Sequence, residues 1–353
     1  MTDKNHTGHK AHTEHTGSGD HTDVPGAGHP PAGALPVRTV EVTGVARISP
    51  RMTRVTFGGP DLTDFAAAGP DQQVKLYFPR PGQCVPRLPA AETESGAGTG
   101  SGSGTGPGSG PAGEVLRWYG AFLAIPEAER PWARSYTVRA HDLPRGTIDI
   151  DFVLHDEEDR AADAPGPATR WARTAAPGDV LGMFGPSAYF ATPVPVGTAD
   201  WMLLAGDETA LPAIGTLIEA LPEGARALAW IEVADAAEEQ RFVTTGEVTV
   251  RWLHRGPAPA GGVGAPAAPG APAAPGAPLL AAVRAAVFPE GSALAWLAGE
   301  AGTVRALRRH LVEERGIDKR AVHFSGYWRR SLTQDDAPTE ADLAEARERA
   351  AGA

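Results

Sequence analysis

The chain has 353 residues with 32 Lys and Arg against 43 Asp and Glu, and its net charge of −11 disfavours nucleic acid as a partner. A single cysteine, Cys84, excludes a disulfide framework and any thiolate zinc or iron–sulfur site within the chain. No run of 18 or more apolar residues is present, and the opening MTDKNHTGHKAHTEHTG has no apolar core of a secretory signal, so a cytoplasmic protein without a membrane span is expected.

Residues 1–35 form a tail rich in His, Thr and Gly. His6, His9, His12 and His15 recur every third residue and could chelate a metal weakly, but Thr and Gly disfavour the helix that would align them. A disordered tail without function is the other reading. From 36 to 58, β-branched residues in near alternation, broken by Gly and Pro, read as strand–turn–strand. VKLYFP (74–79) is a further strand, and residues 95–113 are a flexible Gly/Ser insert. Strands resume at 133–140 and 146–155, the second with Ile150, Phe152 and Leu154 on one face and Asp149, Asp151, Val153 and His155 on the other. DVLGMFGP (179–186) closes this half. Many short strands and hardly any helix predict a small antiparallel Greek-key β-barrel.

The period then changes. WMLLAG (201–206) is a continuous apolar strand of the kind buried on both faces of a parallel sheet. A helix at about 210–221, strands at 227–233 and 248–254, an Ala/Pro insert (257–278), a helix near 279–287, a strand at 293–299, a helix at 303–316 and a strand at 321–328 follow. Alternating strands and helices predict a doubly wound parallel α/β domain, with ligands at the carboxyl ends of its strands. The expected division is tail 1–35, barrel domain 36–196, α/β domain 197–336 and a C-terminal tail or short helix 337–353.

Three segments carry candidate chemistry. In Arg134-Ser135-Tyr136-Thr137-Val138-Arg139 a guanidinium suits a phosphate, an aromatic face a flavin ring and a hydroxyl the flavin N5 edge. An ordinary exposed strand would look the same. Gly166-Pro167-Ala168-Thr169 predicts a helix start whose free N–H groups could hold a pyrophosphate, as any helix start could. Gly206-Asp207-Glu208-Thr209-Ala210 ends the first parallel strand and lacks the Gly-rich dinucleotide fingerprint. Its two carboxylates would repel a pyrophosphate and leave room for an uncharged nicotinamide, or form a simple acidic cap. Gly299-Glu300-Ala301 repeats the strand–Gly–acid–helix pattern.

RSYTVR, IDIDFVLH, GPATRWA, APGDVLGMFGP, LLAGDETALPAI, AWIEVAD, WLAGEAGTVRALRRHL and FSGYWRR occur here in an order that resembles the siderophore-interacting proteins. These are FAD-dependent ferric-chelate reductases of the ferredoxin–NADP reductase superfamily, and the resemblance spans roughly 37–332 apart from the two inserts. It implies that FAD is bound by Arg134, Ser135, Tyr136, Thr137, Arg139, Asp151, His155, Gly166, Pro167, Ala168 and Thr169. Arg134 would neutralise a phosphate, Tyr136 pack on the isoalloxazine and Thr137 lie near N5. It implies NAD(P)H at Gly206, Asp207, Glu208, Thr209, Ala210, Glu232, Ala234, Asp235, Gly299, Glu300 and Ala301. The acids closing the 227–233 strand lean toward NADH, while Arg251 and Arg255 could tip the choice to NADPH.

The implied reaction carries electrons from NADPH or NADH through FAD to a ferric siderophore, releasing iron(II) inside the cell. Lys75, Trp328, Arg329 and Arg330 are the candidates for docking an anionic chelate, the two arginines otherwise being solvated strand-end charges. A monomer is expected. A flavin reductase, a reductase for a protein electron acceptor and a non-enzymatic siderophore-binding module are the alternatives.

Overall fold

The computed structural model describes residues 37–67, 69–89, 111–155, 166–185, 194–256 and 273–330, with 332, 339, 340 and 344 beyond them. The tail with His6, His9, His12 and His15, and most of both inserts, lie outside the described residues.

Six antiparallel strands close into a barrel in the order β1-β2-β5-β4-β3-β6: β1 (Val37–Ser49), β2 (Met52–Gly58), β3 (Gln73–Phe78), β4 (Trp132–Asp142), β5 (Thr147–Val153) and β6 (Val180–Phe184). The period-2 pattern decides what goes inside. Ile148, Ile150, Phe152 and Leu154 fill the barrel with Val55, Phe57, Val74, Leu76, Leu181 and Met183. The alternate residues of β5 face away, as the strand pattern predicted.

Helix is more prominent in this half than expected. Helix α1 (Pro111–Ala124) takes in the last three residues of the expected 95–113 insert. The reason lies in Trp118 and Phe122, one helical turn apart, which stack at 5.4 Å and pack on Tyr77 outside the barrel wall. Helix α2 (Pro167–Thr174) crosses near β5 and buries Ala168, Thr169 and Ala172.

The second layer is a five-stranded parallel sheet, β7 (Trp201–Asp207), β8 (Arg226–Val233), β9 (Glu247–His254), β10 (Ala293–Glu300) and β11 (Val322–Trp328), in the order β11-β10-β7-β8-β9. In β7, Met202 and Leu204 pack toward α3 (Leu211–Glu219). Trp201, Leu203 and Ala205 pack toward α4 (Ala277–Arg284) and α5 (Ala301–Arg309). The sheet is therefore doubly wound, with its order reversing between β7 and β10. Residues 277 and 278, assigned to the Ala/Pro insert by composition, open α4. Between β8 and β9 there is no α-helix; a single short turn at Ala236–Glu238 docks instead on the barrel, where Glu238 accepts from Ser49 Oγ at 2.5 Å and Arg51 N at 2.9 Å.

Barrel and sheet share apolar contacts as well, since Met52 and Val153 on the outer barrel wall join the cluster built on α3. Leu203 is wholly buried and Val243 is 86% exposed. Leu203→Ala should cost about 2–5 kcal/mol through the cavity it leaves. Val243→Ala should change stability by no more than about 0.5 kcal/mol. Denaturant unfolding of the two variants checks both.

Candidate functional site

On β4, Arg134 and Tyr136 lie opposite Leu76 and Val74, while Ser135 lies opposite the exposed Lys75 on the outer face of β3. The alternation expected from the sequence is thus present. Tyr136 packs on Phe152 at 4.5 Å, with Phe78 and Trp171 completing an aromatic wall. Trp132, at the start of the same strand, carries the guanidinium of Arg80 at 4.2 Å and that of Arg170 at 5.6 Å.

Helix α2 begins where Gly166-Pro167 predicted. Its cap residue offers no side-chain bond, and the first intrahelical bond runs from Arg170 N–H to Gly166 O at 3.0 Å. The N–H groups of Ala168 and Thr169 therefore precede the hydrogen-bonded part of the helix. His155 lies nearby, its carbonyl accepting from Arg173 at 2.8 Å. Uncapped N–H groups, arginines and half-buried aromatic rings in one stretch of surface form a donor set that suits a dinucleotide with a flat ring and a pyrophosphate.

Two residues assigned to that group by resemblance are engaged within the chain. Asp151 sits directly across from Arg54 in the β2–β5 register, and both its oxygens accept from that guanidinium at 2.7 and 2.8 Å. The hydrogen bond and charge of Asp151 raise the Arg54 pKa in spite of burial. Arg139 turns outward to Glu219 at the end of α3, at 2.6 and 2.7 Å, and lies against Gly215, where a Cβ would meet its Nε at 3.2 Å. Both residues tie the scaffold together, Asp151 through both oxygens and Arg139 through its two terminal nitrogens, with Arg139 Nε left buried without a partner.

At the carboxyl edge of the sheet, Asp207 is the meeting point. Its Oδ1 accepts from Thr209 N at 2.9 Å and Thr209 Oγ1 at 2.5 Å; its Oδ2 accepts from Glu300 N at 2.9 Å and Trp328 Nε1 at 2.8 Å. The ends of β7, β10 and β11 are thereby tied to one carboxylate. Gly299 must be glycine here, because its φ is 134° and a Cβ would lie 2.5 Å from Asp207 Oδ2. Gly206 is equally constrained, with a Cβ meeting Ala298 O at 2.6 Å. Burial and the charge of Glu208 push the Asp207 carboxyl up to about 6, against the pull of Thr209 and Trp328. Glu300 caps α5, accepting from Thr303 N at 2.7 Å, and Ala301 is buried behind it.

Glu232 is not at the surface to meet a ribose. It is fully buried, accepts from Gly276 N at 2.7 Å and Leu279 N at 3.0 Å at the start of α4, and lies 3.4 Å from Arg255. Arg255 in turn pairs through both terminal nitrogens with Glu208. Burial lowers the Arg255 pKa, but the hydrogen bond and charge of Glu208, with Glu232 and Asp207, outweigh it and raise the value overall. Glu208 and Arg255 are therefore an internal ion pair, neither a dipole-facing acid nor a free phosphate site. Ala234 is buried beside them, and Asp235 is exposed, with Oδ1 accepting from Ala237 N at 2.8 Å.

A junction that the sequence did not single out joins the two layers. Asp71, at a φ of 57°, accepts from Trp296 Nε1 at 3.0 Å and from the Tyr327 hydroxyl at 3.1 Å, while its own N–H donates to Thr216 Oγ1 at 3.0 Å. Gln73 Nε2 donates to the same phenol at 3.1 Å, and Thr137 hydrogen-bonds it as well. Burial pushes the Asp71 carboxyl up to about 6, opposed by its bonds to Gln73, Trp296 and Tyr327. The only local sign was a polar trio, Asp71-Gln72-Gln73, entering an apolar strand. Its partners Trp296 and Tyr327 lie more than 200 positions away.

Lys75 lies two positions beyond Gln73 on the outer face of β3, and Gln73 is the residue that bonds Tyr327 of β11. Trp328 is held there by its bond to Asp207. Arg329 bridges to Leu332, and Arg330 reaches Pro275 O at 2.5 Å. The four candidates for a chelate thus sit on neighbouring elements, with Arg330 partly committed to the chain. Among the described residues no group of His, Cys, Asp and Glu could hold a metal, and no helix is long and apolar enough to cross a membrane.

Comparison with known proteins gives two family matches. Residues 41–101 and 111–190 match the siderophore-interacting FAD-binding domain, and residues 199–331 match the siderophore-interacting protein model. A siderophore utilization protein from T. fusca superposes with a TM-score of 0.61 at 35% identity, covering 86% of this chain and 98% of that one. A ferric vibriobactin reductase of Vibrio cholerae is 29% identical over 82% of this chain and 88% of its own length. An NADPH-dependent ferric-chelate reductase of Escherichia coli is 26% identical over 82% and 92%.

The raised Asp207 pKa has a consequence for stability. The folded state holds a proton up to about 6 that the unfolded chain releases near the ordinary value of 3.8. Stability from this group is complete below about pH 4 and is lost as pH rises to about 6. The unfolding free energy of the native protein relative to Asp207→Asn should fall by roughly 1 kcal/mol per pH unit across that window. A difference that stays flat with pH would place the Asp207 pKa at its ordinary value.

Proposed function

The chain belongs to the siderophore-interacting protein family, and from that premise we propose that it is an NAD(P)H-dependent, FAD-containing ferric-siderophore reductase. The observation that carries this reading is the uncapped start of α2 set beside the aromatic wall of Tyr136, Phe152 and Trp171. The overall reaction is NAD(P)H plus two ferric chelates giving NAD(P)⁺, a proton, two iron(II) and the two freed chelators. FAD, when bound, takes two electrons as hydride and passes them on singly, which a ferric acceptor requires.

The rest falls to the residues of the chain. The N–H groups of Ala168 and Thr169 and the Arg134 guanidinium are assigned to the two phosphates of FAD, where opposite charge and the helix dipole act together. Tyr136, backed by Phe152, presents a flat apolar face to the ring system and keeps water from it. Thr137, whose hydroxyl donates to Tyr327, is assigned to the ring edge as an acceptor through its remaining lone pair, with Ser135 beside it and His155 assigned to the pocket lining. Gly206, Thr209, Ala210, Gly299, Glu300 and Ala301 border the crevice between β7 and β10, where the order of the sheet reverses, and they are assigned to the nicotinamide half of the donor.

Ferric siderophores are commonly anionic, so Lys75 and Arg329 are assigned to their docking, with Trp328 as an apolar floor. Reduction releases the metal because hard oxygen donors hold iron(III) far more strongly than iron(II). On this reading 36–196 is the FAD domain and 197–336 the nicotinamide domain of a cytoplasmic monomer.

The test is anaerobic. FAD-loaded protein is mixed with NADH or NADPH and a ferric siderophore, and iron(II) is followed with a ferrous-specific chromogenic chelator. Iron(II) should form only when every component is present. Reduced flavin without iron(II), across several chelates, would move the search to a protein or organic acceptor. Arg134→Gln should weaken FAD binding by about tenfold to a hundredfold, the worth of one charge-assisted bond, in an absorbance titration of the apoprotein.

A further inference from the structure

The carboxyl ends of β8 and β9 are zipped together beyond the strands themselves: Arg255 N donates to Val233 O at 3.0 Å and Gly256 N to Ala234 O at 2.9 Å. Asp235 follows at once, exposed and acidic. In a doubly wound sheet this is where the second strand meets the adenosine ribose of a dinucleotide, and a carboxylate there accepts from a free 2′-hydroxyl. A 2′-phosphate at the same place needs a cation.

Among the described residues, the cations on β9 and at its carboxyl end are each engaged within the chain. Arg255 is buried and held by Glu208 and Glu232. Arg251 lies midway along β9, across from Trp230, with its guanidinium 5.7 Å from that ring. His254 is paired with Glu239 at 2.9 Å. Arg241 precedes Thr244 and Thr245, which bond Ile218 O and Leu221 O at the far end of α3, so the chain is already returning to the opposite edge of the sheet. The segment that leaves at Gly256 and returns at Ala273, PAPAGGVGAPAAPGAP, contains no charged residue. Ala273 N donates to Arg255 O at 2.9 Å, so both ends of that segment are fixed beside Asp235.

We propose that this chain selects NADH over NADPH: Asp235 accepts from the 2′-hydroxyl of the adenosine ribose, and the Glu208–Arg255–Glu232 triad withholds the arginine that would otherwise meet a 2′-phosphate. The proposal rests on the reading that a nicotinamide dinucleotide docks along the carboxyl edge of the sheet. Asp235 repels the dianionic phosphate by like charge, and discrimination comes from that repulsion as much as from the bond to the hydroxyl.

Binding of fragments that lack nicotinamide separates coenzyme choice from hydride chemistry. Isothermal titration of the FAD-loaded protein should give a Kd at least tenfold lower for ADP-ribose than for 2′-phospho-ADP-ribose. Asp235→Ala should weaken ADP-ribose at least fivefold. Asp235→Asn keeps an acceptor and drops the charge, so it should retain ADP-ribose and gain affinity for the phosphorylated fragment. Equal or tighter binding of 2′-phospho-ADP-ribose by the native protein overturns the proposal, as does an unchanged ratio in both variants. Binding of neither fragment overturns it too; flavin reduction by NADH in that same sample would leave the reductase reading standing, whereas no reduction by either nucleotide would sink that reading separately.

Discussion

A carboxylate taken out of water is costly unless donors replace its hydration, and Asp207 meets that demand with four of them. Two belong to Thr209 beyond β7, one to the last residue of β10 and one to the last residue of β11. Satisfying one buried charge therefore fixes the relative height of three parallel strands at the point where the sheet order reverses. It also dictates Gly299, since no side chain fits beside Oδ2.

The same demand accounts for most of the acids that look functional in one dimension. Glu232 supplies the acceptors for the buried N–H groups that open α4, and its residual charge is balanced by Arg255, which Glu208 shares. Asp151 is matched by the arginine that antiparallel register sets opposite it. Each of these acids has partners within the chain that tie it into the scaffold. What remains at the surface is a shorter list in which Asp235 stands out.

Asp71 extends the logic across the two layers. Its carboxylate joins the entry of β3 to Trp296 on β10 and Tyr327 on β11, and Tyr327 is bonded onward to Thr137 on β4. The strand expected to lie near the flavin ring is thus coupled by hydrogen bonds to the strand that carries the chelate candidates. Arg139–Glu219 and the Glu238 contacts to Ser49 and Arg51 brace the same interface from other sides. Electron transfer depends on fixed distances between donor and acceptor, and these polar ties, backed by Met52 and Val153 in a common apolar cluster, supply that rigidity.

The sequence alone determined whatever depends on near neighbours in the chain. Period-2 alternation put Ile150, Phe152 and Leu154 inside a barrel, the continuous apolar run at 201–206 marked a strand covered on both faces, and Gly166-Pro167 marked a helix start. Eight motifs in order carried the family. It understated α1, whose Trp118–Phe122 signal was masked by the Gly/Ser tract beside it. Tertiary structure alone decided which acids are free, because a carboxylate's role is set by the donors around it, and those donors come from distant parts of the chain. Glu232 and Asp235 stand three positions apart and read alike in sequence. One is buried under the start of α4 and the other faces water, since only the folded sheet brings residues 276 and 279 onto the end of β8.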